Sequence, residues 1–215
     1  IVIKVGSNIL VNEKHVLRKK WLSSLIADVK ELQKRGSKIV IVSSGAIALG
    51  RNILSKKKLT NLHEKQAAAS IGQIQLSQQW QKAFAKLNIQ SSQILITAED
   101  LNERRKYLNI RNTIYSLMDL NVVPIINEND TTSTEEIRFG DNDKLSAMIA
   151  NALSAELLIL LSDVNGLYTA NPKKSLQAKL ITSVEEVDQQ IEKYIDKDLS
   201  EFGSGGMLAK INAAK

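Results

Sequence analysis

The sequence contains no cysteine, which excludes disulfides, thiolate metal sites and cysteine nucleophiles and fits a reducing cytosol. No apolar run approaches the roughly 20 residues that span a bilayer, and no stretch has the charged-then-apolar order of a secretory signal. A soluble, unexported protein is expected. Aromatic residues make up 4% of the 215. The two histidines, His15 and His63, lie in polar helix-flanking stretches and earn no role, so a histidine-based acid–base pair is not in view. The formal net charge is +6, yet only Lys56-Lys57-Lys58 forms a run. Scattered lysines with so few aromatics describe a solvated face rather than a nucleic-acid patch. No internal repeat or low-complexity linker divides the chain. What remains is an ordinary globular composition, 43% hydrophobic and 24% charged, long enough for one large α/β domain or two lobes sharing a core.

Hydrophobic periodicity supplies the elements. "IVIKV" (1–5) is a short β-branched run halted by Gly6-Ser7, which suits a buried parallel strand. Residues 18–34 place Trp21, Leu22, Leu25, Ile26, Val29 and Leu32 on one helical face, with Gly36 just beyond. "KIVIV" (38–42) reads as the next strand, 62–88 as one or two helices, 91–96 as a strand and 103–120 as a helix. "NVVPII" (121–126) is again a strand, "NDKLSAMIANALSA" (142–155) a helix and "ELLILL" (156–161) a strand. Near-continuously apolar strands alternating with helices predict a mostly parallel sheet covered on both faces. The polar, β-branched "TTSTEEIRF" (131–139) predicts a protruding hairpin or edge strand. Ile1 opens directly into a strand and Lys215 falls within a helical stretch, so a short N-terminal and a longer C-terminal piece are expected outside this sequence.

Ligands of open α/β sheets collect at the carboxyl ends of the strands, and here those ends are polar. Lys4 lies inside the first strand, with Gly6-Ser7 after it. Ser43-Ser44-Gly45-Ala46 follows the second, Asn127-Glu128-Asn129-Asp130 follows "VVPII", and Ser162-Asp163 follows "ELLILL". A lysine inside an apolar strand must emerge at the sheet's end or be paired, because an unpaired buried ammonium costs several kcal/mol or shifts its pKa. Ser44 could cap a helix, or Ser44-Gly45-Ala46 could offer N–H groups to an anion. Asp141 or Asn142 could likewise cap the helix that follows. Capping does not account for both acidic clusters, Asn127–Asp130 and Asp141-Asn142-Asp143, together with the lysines. Oxygen ligands of this kind also suit Mg²⁺. "FGSGGMLAK" (202–210) is a second glycine-rich turn opening a helix, without the Walker A spacing.

Taken in order, Lys4-x-Gly6-Ser7, Ser43-Ser44-Gly45-Ala46, NEND (127–130), GDND (140–143), SD-x-x-GLYT-x-x-P (162–172) and GSGGM-x-x-K (203–210) resemble the amino acid kinase family. Within it they are similar to the branch that phosphorylates the side-chain carboxylate of L-glutamate, the first step of proline biosynthesis. The resemblance implies a three-layer αβα sandwich on a mostly parallel central sheet. Its acceptor lobe would span 1–155 and its nucleotide lobe 156–215, incomplete at the C-terminus. It implies that Ser44, Gly45, Asp130 and Asn142 hold glutamate, that Lys4 and Lys210 contact the transferring phosphoryl group, and that Asp143 orients those lysines. ATP would be bound by Lys4, Gly6, Ser162, Asp163, Ser204, Gly205, Gly206, Met207, Leu208, Ala209 and Lys210. Mg²⁺ would be carried mainly by the ATP phosphates, with no protein ligand assigned. A homo-oligomer (dimer or tetramer), proline as feedback inhibitor and a cytoplasmic location are implied too, with the 131–139 segment closing over the substrate. Lys144 after GDND and Asn171 before Pro172 depart from the family pattern. The alternatives are another amino acid kinase, such as one acting on N-acetylglutamate, or a non-catalytic nucleotide- or RNA-binding protein on the same scaffold.

Overall fold

Four largely apolar runs and the half-polar edge segment QSSQILI become the strands of one sheet in the computed structural model, which describes residues 1–55, 58–133, 141–187, 191 and 206–215. They are β1 (Val2–Val5), β2 (Val40–Ser43), β3 (Gln90–Ile96), β4 (Val122–Glu128) and β5 (Leu158–Leu161). The spatial order is β3-β4-β2-β1-β5, and every neighbouring pair is parallel. The helices are α1 (Ser7–Leu10), α2 (Lys19–Lys34), α3 (Ala46–Ile53), α4 (Leu62–Ala85), α5 (Ala98–Asn102), α6 (Arg104–Asp119), α7 (Asp141–Ala152) and α8 (Met207–Ala214). A two-stranded antiparallel ribbon, β6 (Leu167–Tyr168) with β7 (Leu180–Ile181), stands apart from the main sheet.

The two-residue period of a strand sorts the side chains between two cores. Ile3, Val5, Ile41, Val123 and Ile125 point to one face, against Leu22, Ile26 and Val29 of α2, Leu49 of α3, and Leu76, Trp80 and Phe84 of α4. Val2, Val40, Val42 and Ile126 point to the other, against Ile114 of α6 and Leu145 and Ile149 of α7. Each such side chain contributes about 1.5–3 kcal/mol by leaving water. Lys4 shares the parity of Val2, so it emerges on the α7 face. The chain must carry α7 from β4 across β2 and β1 to reach β5 at the opposite edge, and α7 touches all four of those strands. The crossover thus sets the start of α7 above the end of β1.

On the opposite face α4 carries a stripe with a four-residue repeat, Ala68, Gly72, Leu76, Trp80 and Phe84, all buried. The small residues come first because α3 lies in backbone contact there. A Cβ on Gly50 would meet the Ala68 carbonyl oxygen at 1.7 Å, and one on Gly72 would meet that of Ala46 at 1.8 Å. Only glycine permits this approach, and it clamps the start of α3 in place. Farther along, Trp80 and Phe84 stack with ring centroids 6.1 Å apart.

The expected elements appear with shifted ends. The 62–88 stretch is one continuous helix to Ala85, the 142–155 helix stops at Ala152, and the 156–161 strand pairs only from Leu158. The brief α1, α5 and the β6–β7 ribbon have no counterpart in the periodicity reading. Helix α5 depends on a reciprocal capping box between Thr97 and Asp100. Of the expected 131–139 hairpin, the described part is a turn, closed by bonds from the Thr132 and Ser133 N–H groups to the Asn129 carbonyl at 3.0 and 3.1 Å. Residues 134–139 lie outside the described residues. No helix among the described residues is long and apolar enough to cross a membrane.

Candidate active site

Lys4 sits on β1, an interior strand between β2 and the edge strand β5, and is 5% exposed. It donates to Asp143 Oδ1 at 2.7 Å. Asp143, 1% exposed, occupies the first turn of α7, and its backbone carbonyl accepts from Ser146 Oγ at 2.7 Å. Lys210, on the first turn of α8, reaches the same carboxylate from outside, at 3.1 Å to Oδ1 and 3.2 Å to Oδ2. Two ammonium groups therefore share one buried carboxylate, and the cluster keeps a net positive charge facing the strand ends. Burial pulls the Lys4 pKa below the usual lysine value; the Asp143 charge opposes that pull and the Lys210 charge adds to it. Gly6 lies against the Lys4 ammonium, since a Cβ there would come within 3.6 Å of Nζ.

A second group forms where β2, β4 and α7 meet. Asn142 Nδ2 donates to Ser44 Oγ at 2.9 Å and to Asn127 Oδ1 at 3.2 Å. Asn142 Oδ1 is buried and accepts no hydrogen bond. A buried unpaired acceptor is costly in a native fold, and this one is one residue from the lysine-binding Asp143. Ser44 is not a helix cap: Gly45 holds the N-cap of α3 in the left-handed region (φ 111°), with no side-chain cap bond. Asn142 likewise spends its amide on Ser44 and Asn127 rather than on capping α7. Asp130 stands half-buried in the turn directly after β4.

The nucleotide-side candidates are placed more loosely. Val5 pairs with Leu161, so Gly6 and Ser162 leave the sheet side by side. Asp163 is exposed and paired with Lys173, whose hydrogen bond holds its carboxyl below the usual range. Gly206 precedes α8, and Met207, Leu208, Ala209 and Lys210 form its first turn. Ser204 and Gly205 lie outside the described residues. Lys144 is exposed on α7, whereas its neighbour Asp143 is buried. Among the described residues no three His, Asp or Glu side chains are grouped to hold a metal ion.

Sequence reasoning gave Asn127 no role beyond membership of an acidic cluster, and it passed over Gln73 entirely. Asn127 is 3% exposed and joins Asn142 to Gln73 of α4, donating from Nδ2 to Gln73 Oε1 at 2.7 Å. The parity of β4 could have pointed to it, because Val123, Ile125 and Asn127 share the α4 face.

The amino acid kinase family model matches residues 1–215. Curated relatives include the glutamate 5-kinases of Pelagibacter ubique (50% identical), Nitrosospira multiformis (48%) and Brucella abortus strain S19 (50%). Each alignment covers 100% of this chain and 59%, 58% and 57% of the relative, respectively. The chain therefore spans less than two thirds of their length. Among solved structures, an isopentenyl phosphate kinase of T. acidophilum superposes with a TM-score of 0.65 at 14% identity, covering 99% of this chain and 86% of that one. An aspartate kinase of Synechocystis superposes at 0.58 and 15% identity, covering 85% and 32%. At those identities the likeness concerns the fold: a parallel sheet between helical layers. A match that runs the length of the chain, on a sheet whose strand ends gather two lysines around one aspartate, shows that this chain belongs to the amino acid kinase family.

Proposed function

We propose that the protein carrying this chain phosphorylates the γ-carboxylate of L-glutamate with ATP, giving L-glutamyl 5-phosphate. The observation that carries the reading is the convergence of Lys4 and Lys210 on Asp143, beside the open acceptor of Asn142. Relatives about half identical over all 215 residues and named glutamate 5-kinase support the choice of acceptor. The chemistry needs no general base. A glutamate side chain with a pKa of about 4.3 is already ionised at neutral pH. One carboxylate oxygen attacks the γ-phosphorus; the bond to the oxygen bridging the β- and γ-phosphates breaks, and ADP leaves with that electron pair. The obstacle is repulsion between anions, met by positioning and by cations along the in-line path.

Lys4 and Lys210 supply those cations, and Asp143 keeps both aimed; one preorganised donor of this kind is worth about 3–4 kcal/mol of barrier. Asp143 has its oxygens engaged by lysines, so Mg²⁺ is proposed to travel on the ATP phosphates, using few protein ligands. Ser44, Gly45, Asp130 and Asn142 would hold the amino acid, with Asp130 and Asn142 Oδ1 facing its α-ammonium. An N-acetylated substrate lacks that charge. ATP would lie along Gly6, Ser162, Asp163 and the 204–210 turn. The acceptor lobe is placed in 1–155 and the nucleotide lobe in 156–215. A homo-oligomer, feedback inhibition by proline and action in the cytosol complete the proposal.

The test is a coupled ADP assay with glutamate, N-acetylglutamate and aspartate side by side, trapping the acyl phosphate as hydroxamate. Glutamate-dependent turnover should fall at least about 100-fold in Lys4→Ala and in Lys210→Ala. Undiminished turnover in both refutes the mechanism, and a preference for N-acetylglutamate refutes the acceptor.

A further inference from the structure

The amides around Asn142 form an unbroken chain in which Asn127 is held from two sides, by a backbone N–H at its oxygen and by Gln73 at its nitrogen. The Glu128 N–H donates to Asn127 Oδ1 at 2.9 Å. A backbone N–H can only donate, so the atom facing it must be the amide oxygen. Asn127 Nδ2 therefore faces α4, where it needs an acceptor and finds Gln73 Oε1 at 2.7 Å. Gln73 then presents Nε2 to Gln93 Oε1 on β3 at 3.1 Å. At the other end, Asn127 Oδ1 requires a donor from Asn142, which commits Nδ2 and leaves Oδ1 as the open acceptor. Were Asn127 free to turn over, Asn142 could turn with it and offer a donor instead. A ligand ammonium would then meet N–H rather than C=O.

We infer that Gln73 is a positioning residue for acceptor binding: by accepting from Asn127 Nδ2 on the far side of β4, it joins the Glu128 N–H in holding the Asn127 amide, and through it Asn142 Oδ1, toward the substrate's ammonium group. The inference rests on the proposed acceptor site. Gln73 is not among the side chains proposed to touch the acceptor; it lines a cleft of about 210 Å³ with Ser43, Ser77, Ser92 and Asn127. Hydroxyl and amide groups line much of that cleft beside Leu76, Trp80 and Ile125, so water can replace a lost Gln73 bond without restoring its direction.

Kinetics of Gln73→Leu, Gln73→Glu and Asn142→Ala test this, each checked for folding by thermal melting. Gln73→Leu should raise KM for glutamate roughly tenfold, the equivalent of one hydrogen bond, with KM for ATP and kcat within about twofold. Gln73→Glu keeps an acceptor for Asn127 Nδ2 and should restore KM for glutamate to within about threefold of the parent. The Gln73→Leu, Asn142→Ala double variant should be no worse than Asn142→Ala alone, because the two act through one atom. Unchanged KM for glutamate in Gln73→Leu overturns the inference, as does a Gln73→Glu variant as impaired as the leucine. Should Gln73→Leu fail to fold, the glutamate variant and Gln93→Leu, expected to raise KM for glutamate about threefold, decide alone. If Asn142→Ala itself leaves KM for glutamate unchanged, the acceptor-site reading fails and this inference with it. If only Gln73→Leu is silent, the site stands and the relay does not.

Discussion

Replacing Asp143 by asparagine isolates the charge at the centre of the lysine cluster, because the two side chains have nearly the same shape. At an effective dielectric constant of about 20, unit charges 2.7 Å apart attract by about 6 kcal/mol. Part of that is already spent on desolvating Lys4, whose pKa remains lowered even with the carboxylate present. Breaking a buried pair by removing one partner typically costs about 3–5 kcal/mol. An independent ceiling comes from the proton. Lys4 can escape by becoming neutral, which at pH 7 costs at most about 5 kcal/mol, measured from the ordinary lysine value of 10.5. The two figures agree. Lys210 is nearer the surface and can swing into water, so it adds little.

For a chain of this size the loss corresponds to a melting temperature lowered by roughly 6–20 °C. The same ceiling falls to about 2 kcal/mol at pH 9, so the deficit against the parent should shrink as pH rises. Adding Lys4→Met to Asp143→Asn removes the stranded charge and should recover most of the lost stability, without the turnover that the proposed mechanism assigns to Lys4. Thermal melts of parent, single and double variants at pH 7 and pH 9 supply the measurement. A deficit equal at both pH values, or no recovery in the double variant, refutes the buried-charge account.

The lowered Lys4 pKa also has a direct kinetic consequence. The cost of holding this lysine charged is present throughout the range below its folded pKa, and it is relieved between that value and 10.5. On the proposed mechanism the Lys4 ammonium is lost over the same window, so kcat/KM should show an alkaline limb with its midpoint below 10.5; full activity up to 10.5 would contradict the assignment. The glycine contact between α3 and α4 predicts a ranking measurable by urea denaturation. Gly72→Ala should destabilise by more than about 3 kcal/mol, since its Cβ would lie 1.8 Å from the Ala46 carbonyl oxygen. Gly36→Ala, with a left-handed φ of 88° but open space around it, should cost only about 1 kcal/mol. Near-equal losses would mean that the helices part easily. The exposed Asp163–Lys173 pair is the counter-case: Lys173→Met should change stability by less than about 1 kcal/mol.

What the sequence conveyed, and what it withheld, divides by the range of the interactions concerned. Strands such as "KIVIV" announce themselves because a buried parallel strand is apolar at every position, and α2 does so because its apolar face repeats within four residues. The polar strand ends were legible for the same local reason. Lys4 was legible as an anomaly, an ammonium where an apolar residue belongs, while Asp143 as its partner came only from the family resemblance. Strand parity puts Lys4 on the face opposite Ile3, but which helix covers that face follows from the order β3-β4-β2-β1-β5, which no local pattern encodes. Gln73 lies beyond even that. A glutamine one position from the buried Gly72 reads as an ordinary half-exposed helix residue, and composition alone gives it no special value. Its importance comes from the convergence of α4, β4 and α7, whose contributing residues are 54 and 15 positions apart in sequence. The chemistry of a site is thus local in its charged groups and non-local in what aims them. A mutational scan chosen by charge alone would find Lys4, Asp143 and Lys210 and miss the amides that join α4, β4 and α7 beside them.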